Sequence, residues 1–327
     1  MTTKKSYDNR DRRAGILLWA GLAVLTLTIV VVLRGSRLNA QGHGKSTNGG
    51  TSMTISTLPA LLSLSVDSLE KLDLARMNLL CASGLPGAED LNVSASLAML
   101  DQMAVRVRTE TGRHHYRFQR NPEEFEHSEG FFKMLMLAVV LTEDFGVHYA
   151  PGKMGTAAEA RTGDGFFGDA RDVFLHGLTG PNRQGTCSSL PVLHVAVGRR
   201  LGYPLRLVTT KGHLFVRWED AHERFNVEAA GRGVNRFTDD YYRHWPMEVS
   251  EEEVKAEGYL KSLSPAEELA VFLSIRGMCW FEAKRYAEAA ASFQVAARLA
   301  PSCKTYRVMA EDLQQKARSV VADNRIN

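Results

Sequence analysis

The chain has 327 residues, 44% of them apolar, and a formal net charge of +3. That is room for roughly two domains with a real core, which excludes an intrinsically disordered protein. Lys and Arg are spread along the whole chain with no basic stripe interleaved with aromatics, which excludes nucleic acid as the main partner.

Residues 14–33, AGILLWAGLAVLTLTIVVVL, carry no charge. At about 1.5 Å per residue they match the roughly 30 Å hydrocarbon core of a bilayer, so a transmembrane helix is predicted with the lipid bilayer as its partner. Lys4, Lys5, Arg10, Arg12 and Arg13 precede it and only Arg34 and Arg37 follow nearby. The positive-inside rule then holds residues 1–13 in the cytoplasm and places the main body outside it, in the periplasm or beyond. A cleaved signal peptide with a small-residue site near Ala40 is the alternative, although the stretch exceeds the roughly 7–15 residues of a signal h-region. Residues 34–55 are rich in Gly, Ser, Thr and Asn and read as a flexible linker.

The folded part begins near residue 56, and a first domain is predicted over 56–247. Leu69, Leu72, Ala75, Leu79 and Leu80 recur at helical spacing behind the caps Ser65 and Asp67, with Gly84 closing the segment. Further helices are predicted over 93–109, 129–145, 169–178 and 187–201. Residues 146–168 are Gly-rich and nearly aperiodic, which predicts an ordered loop lying over something. PLRLVTT, HLFVRWE and ERFNVEA, after Gly202, alternate and are rich in β-branched and aromatic residues, predicting three adjacent antiparallel strands.

Residues 248–327 form a separate helical region. RGMCWFEAKRYAEAAASFQVAARLAP places Gly277, Trp280, Ala289, Phe293, Ala296 and Pro301 where a tetratricopeptide repeat places its Gly, aromatic, Ala, Phe, Ala and Pro. One repeat over about 270–303 is predicted, started by Ser264 and Pro265 and capped by a helix around 304–320. It serves either partner binding or stabilisation, because about three repeats are needed for a self-standing stack.

Chemistry concentrates at RQGTCSSLPVLHVAVGRRLG, residues 183–202, where Cys187 stands at the mouth of a predicted helix. Unpaired N–H groups and the positive end of the helix dipole there favour a thiolate over the free thiol. Pro191 does not disturb this, since a proline in the first turn loses an N–H with little helical use. His213 opens one strand, and Asn226 and Glu228 end the next. That chain order can bring thiol, imidazole and a third polar group together. Asn226 and Glu228 lie on one strand face, so geometry alone admits either as the group orienting His213. Chemistry favours Glu228, because a carboxylate also stabilises the imidazolium. His194 reads as a packed helix residue, His222 as a solvated hairpin tip and Cys81 as a core thiol, while the aromatics of DDYYRHWP, residues 239–246, can line a groove or pack on the sheet.

GTCSSLPVLHVAVGRRLGYPL, KGHLFVRWED and RFNVEAAGRG, with the lead-in LARMNLLCASGLPGAEDL and LAMLDQMAVRVR, resemble the transglutaminase-like superfamily, in particular its bacterial branch related to the SirB1 N-terminal domain. The similarity spans roughly residues 65–246. It implies an α+β, papain/transglutaminase-like domain, in which a helical lead-in is followed by a catalytic helix packed on a small antiparallel sheet; the tetratricopeptide-like hairpin read from its own residues follows that domain. It also implies a Cys-His-Asp arrangement with Cys187 as nucleophile and His213 as base. Where transglutaminases show Asp-Pro-Thr this chain has Glu228-Ala229-Ala230, so Glu228 becomes the orienting residue with Asn226 as substitute. The extra methylene predicts a less firmly held imidazole. The backbone N–H of Cys187 is the default oxyanion donor and Gln184 a weaker side-chain candidate.

Four cysteines, Cys81, Cys187, Cys279 and Cys303, show no CxxC spacing and no nearby zinc-ligand His pair, and the calcium sites of the animal enzymes have no counterpart, so no metal and no cofactor is expected. The expected function is a membrane-anchored cysteine acyltransferase or peptidase acting through a thioester on a peptide, a protein or an envelope polymer. The alternative is a non-catalytic, membrane-tethered scaffold that uses the fold and the repeat for protein–protein interaction.

Overall fold

A computed structural model describes residues 55–153, 165–230 and 234–326. The predicted membrane helix 14–33, the residues before it and nearly all of the linker lie outside the described residues. Among the described residues no helix is long and apolar enough to cross a membrane. The architecture is α+β, with helices around small sheets.

The lead-in consists of α1 (Leu58–Leu62), α2 (Val66–Leu69), α3 (Leu74–Ala82), α4 (Val93–Arg120) and α5 (Glu129–Val139). The run read as one helix behind Ser65 and Asp67 is divided, because Asp73 starts a new helix by accepting from the Ala75 N–H at 2.9 Å. Gly84 has φ +78° just beyond the end of α3, the left-handed turn expected of it. α4 outruns its predicted end at 109. Its polar second half has no apolar stripe to read, but Glu110 pairs with Arg106 and His114 one turn away on either side.

The predicted helix 169–178 is two short ones, α6 (Ala170–Val173) and α7 (Leu175–Thr179), broken at Phe174 in extended backbone. The Leu175 N–H is taken by Asn78 Oδ1 of α3 at 3.0 Å, so a buried side-chain amide replaces the helical acceptor. Between α5 and these helices β1 (His148–Tyr149) pairs in parallel with β2 (Gln184–Gly185), which brings Tyr149 beside the Cys187 turn, and residues 154–164 of the predicted loop 146–168 lie outside the described residues.

α8 (Leu190–Arg200) packs on a three-stranded antiparallel meander of β3 (Leu205–Thr210), β4 (His213–Glu219) and β5 (Arg224–Val227), as the alternation predicted. Gly198 lets α8 approach β3, since a Cβ there would stand 2.2 Å from Leu205 Cδ1. Pairing of Thr210 with His213 and of Arg217 with Asn226 fixes the register. Leu207, Val216 and Val227 therefore share the face toward α8, while His213, Phe215, Arg217 and Asn226 share the other. That second face is covered by α9 (Asp239–His244), whose buried Tyr242 stacks on Phe215 with ring centroids 3.8 Å apart.

α10 (Glu251–Glu257) leads to α11 (Pro265–Glu282), α12 (Tyr286–Leu299) and α13 (Lys304–Ile326). Ser264 and Glu267 form a capping box at the start of α11, with Pro265 in its first turn. A Cβ on Gly277 would lie 2.6 Å from the Phe293 ring, which is why small residues occupy the α11–α12 crossing. α11 shares the main core through Leu269, Ala270, Phe272 and Leu273. Arg199 of α8 also grips the fully buried Glu268 with two hydrogen bonds of 2.6 and 3.0 Å. Burial raises the Glu268 carboxyl despite Arg199.

Candidate active site

Cys187 lies in the turn that enters α8. The Leu190 N–H reaches the Thr186 carbonyl at 2.9 Å, a helical bond, but Pro191 has no N–H to return to the Cys187 carbonyl, so the regular helix begins only at Leu190. The thiol thus stands one turn ahead of the regular helix. Ser189 Oγ accepts from the Thr186 N–H at 3.0 Å and donates to the Asp172 carbonyl at 2.9 Å, tying the turn to α6.

His213 opens β4 behind the Lys211-Gly212 turn, where Gly212 has φ +75°. Its ring is buried, and Nε2 lies 2.7 Å from Glu228 Oε2. The carboxylate assigns a proton to Nε2, and the ring lines the same cavity as the Cys187 thiol. Trp245 packs edge-on against the ring at 4.7 Å between centroids.

Burial by itself would lower the His213 pKa. The neighbouring Cys187 and the bonded, charged Glu228 outweigh it, raising the value from 6.5 to about 9. The charged ring's contribution to folding is therefore fully present below pH 6.5 and is lost as the pH rises through about 9.

Glu228 follows β5 directly. Oε2 accepts from His213 and from the Tyr242 hydroxyl at 3.1 Å, and Oε1 accepts from the Ala230 N–H at 2.8 Å. These three donors hold the longer arm in place, so the extra methylene does not leave the imidazole loosely held. Burial and the Glu228 charge drive the Tyr242 phenol upward, which keeps it a donor.

Asn226 shares the strand face with Glu228 but serves another group. Its Oδ1 accepts from Arg217 Nε at 2.8 Å, and its Nδ2 donates to the Phe237 carbonyl and to Asp239 Oδ1. Gln184 is likewise engaged elsewhere, donating to Asp172 Oδ1 at 2.9 Å, and it does not line the cavity that holds the thiol. His194 donates from Nδ1 to the Leu190 carbonyl within its own helix, and burial lowers its pKa. His222 is exposed at the hairpin tip.

Tyr149 was not legible as a site residue. It lies 38 positions before Cys187 and reaches the site only through the β1–β2 pair. The Cys187 N–H, the expected oxyanion donor, points at the Tyr149 phenol oxygen at 3.4 Å. Burial first, then the neighbouring thiol, pushes the phenol well above its ordinary range, so it stays protonated and can donate toward a developing negative charge. Three further thiols are present among the described residues. Cys81 is fully buried and pushed up to about 12, burial drives Cys279 upward as well, and burial with a bond to Glu257 raises Cys303 to about 12. Among the described residues no cluster of His, Cys, Asp and Glu could hold a metal ion.

Cys187, His213, Glu228, Tyr149, Tyr241 and Trp245 line one cavity of about 770 Å³. The arrangement can supply a nucleophile, an acid–base group with a fixed tautomer, and two donors near the place where a carbonyl oxygen would gain charge. No protein-family model, no curated protein and no solved structure matches the chain.

Proposed function

We propose that the chain is a membrane-anchored, transglutaminase-like cysteine enzyme acting outside the cytoplasm on an amide bond of a peptide, a protein or an envelope polymer. The observation that carries this reading is the His213 imidazole, bonded to the Glu228 carboxylate at 2.7 Å, lining one cavity with the Cys187 thiol. In the reaction the Cys187 thiolate attacks the amide carbonyl, whose π electrons move onto oxygen. Collapse of that oxyanion breaks the C–N bond while His213 gives its proton to the departing amine, leaving a thioester on Cys187. Water or a second amine then attacks the thioester, His213 takes the proton of the attacking atom, and Cys187 leaves as thiolate. In this reading the Cys187 N–H, which donates to the Tyr149 oxygen at 3.4 Å without substrate, turns to the oxyanion together with the Tyr149 hydroxyl.

Mixed with p-nitrophenyl acetate, the full chain is expected to release nitrophenol in a burst of about one equivalent and to carry a hydroxylamine-labile acetyl group on Cys187. A burst that survives Cys187→Ala would sink the reading. The anchor is tested separately: a reporter fused after Asn327 is expected to be active outside the cytoplasm, and cytoplasmic activity would overturn the orientation.

A further inference from the structure

We infer that α11, α12 and α13 form the acyl-donor subsite of this cavity, and that its occupant is a short extended peptide segment bearing an apolar or aromatic side chain beside the reacting amide. The inference rests on the reading of Cys187 as the nucleophile. The cavity does not stop at the sheet. It continues over Ile275 and Met278 of α11, Phe293 of α12, and Tyr306 and Met309 of α13, so the repeat supplies one wall of the chamber that holds the thiol.

That wall is fastened to the rest of the domain. Besides the Arg199–Glu268 grip, Arg276 donates to the carbonyls of Cys81 and Ser83 at 2.7 Å each. Glu282 at the end of α11 accepts the Phe167 N–H at 2.9 Å, in a segment that lines the same cavity. A rigid wall presents its side chains at a fixed distance from the nucleophile, which is what positions a substrate bond.

Size and chemistry choose the occupant. About 770 Å³ falls within the roughly 300–1,000 Å³ of pockets that take small ligands, room for a few residues and not for a folded chain. No Lys or Arg lines it among the described residues, and its carboxylates are Glu228, held by His213, and Glu257, which accepts from the Cys303 thiol and the Thr305 N–H. An anionic ligand would meet these two carboxylates with no Lys or Arg to offset them and with the His213 ring already paired to Glu228. Met278 and Met309 adapt to several apolar shapes. Ser188 and Thr305 add hydroxyls that can meet a peptide backbone and that a hydrocarbon chain would leave unused.

The test compares inactivation at Cys187 in the full chain by iodoacetamide and by three larger chloromethyl ketones, carrying benzyloxycarbonyl-phenylalanine, its glutamate counterpart, or a decanoyl chain. The phenylalanyl reagent is expected to saturate and to outpace the glutamyl one by roughly ten-fold or more, because the glutamyl carboxylate would face Glu228 and Glu257. In Met278→Glu, and independently in Met309→Glu on a different helix, the ratio of the phenylalanyl rate to the iodoacetamide rate should fall roughly ten-fold. Thermal melts identify any variant that fails to fold, and the other then decides. An unchanged ratio in the folded variants, no saturation, or preference for the decanoyl reagent overturns the subsite. Failure of iodoacetamide itself to single out Cys187 overturns the underlying reading instead.

Discussion

Glu228→Gln is expected to slow acylation and alkylation of Cys187 by roughly ten-fold or more, the range of general acid–base contributions. Oε2 of Glu228 receives two donors and Oε1 a third. An amide supplies only one acceptor atom, so whichever way it turns, its NH2 group faces a donor. It also cannot stabilise an imidazolium, and the raised pKa of His213 depends in part on that carboxylate. The variant should therefore show both a lower rate and a His213 titration shifted to lower pH, a pairing that simple loosening of the fold would not give. Asn226→Ala should leave the rate close to that of the parent. If Asn226→Ala abolishes the reaction while Glu228→Gln is nearly silent, the amide and not the carboxylate orients the imidazole.

A second large effect is expected in stability. Arg217 is completely buried in the central strand, with Nε on Asn226, Nη1 on the Leu260 carbonyl at 3.1 Å and Nη2 on Asp239 at 2.5 Å. Burial lowers the pKa of its guanidinium, and Asp239 is the first of the charges that oppose this. Removing one partner leaves a buried charge poorly compensated, which costs about 3–5 kcal/mol in general. Asp239 is 39% exposed, so water can reach the vacated place and a loss near about 3 kcal/mol is expected for Asp239→Ala. Asn226→Ala should cost about 1–3 kcal/mol, because it leaves the Arg217 Nε donor unmatched. Urea unfolding midpoints check both values. The cluster ties β4 and β5 to the segment bearing Tyr242 and Trp245, so its loss should also broaden the His213 titration. Midpoints within error of the parent would show that Arg217 finds other partners.

Much of this arrangement is legible in the sequence because short-range patterns encode it. Alternation gives the three strands, Ser264-Pro265 gives a helix start, and Gly277 opposite Phe293 gives the hairpin crossing. Cys187, His213 and Glu228 are readable as candidates because a helix mouth and two strand ends are local features. What is not legible depends on partners distant in the chain. Tyr149 reaches the thiol through a two-residue parallel pair with no compositional mark, and the helix 169–178 is broken by Asn78, about a hundred residues earlier. The choice between Asn226 and Glu228 is invisible for the same reason: both share a face, and only the buried guanidinium of Arg217 claims the amide. The cavity's continuation over α11, α12 and α13 likewise follows from how α11 docks on the core, through Glu268 and Arg276, and not from either segment alone.

The central claim is that Cys187 is an activated nucleophile, and its most direct test is competitive alkylation of the full chain by limiting iodoacetamide at neutral pH, with each of the four cysteines quantified by mass spectrometry. Cys187 is expected to react at least roughly ten-fold faster than Cys81, Cys279 and Cys303, whose thiols are buried or raised, and to lose that advantage in His213→Ala. Equal labelling of Cys187 and Cys81, or an advantage untouched by His213→Ala, would contradict it.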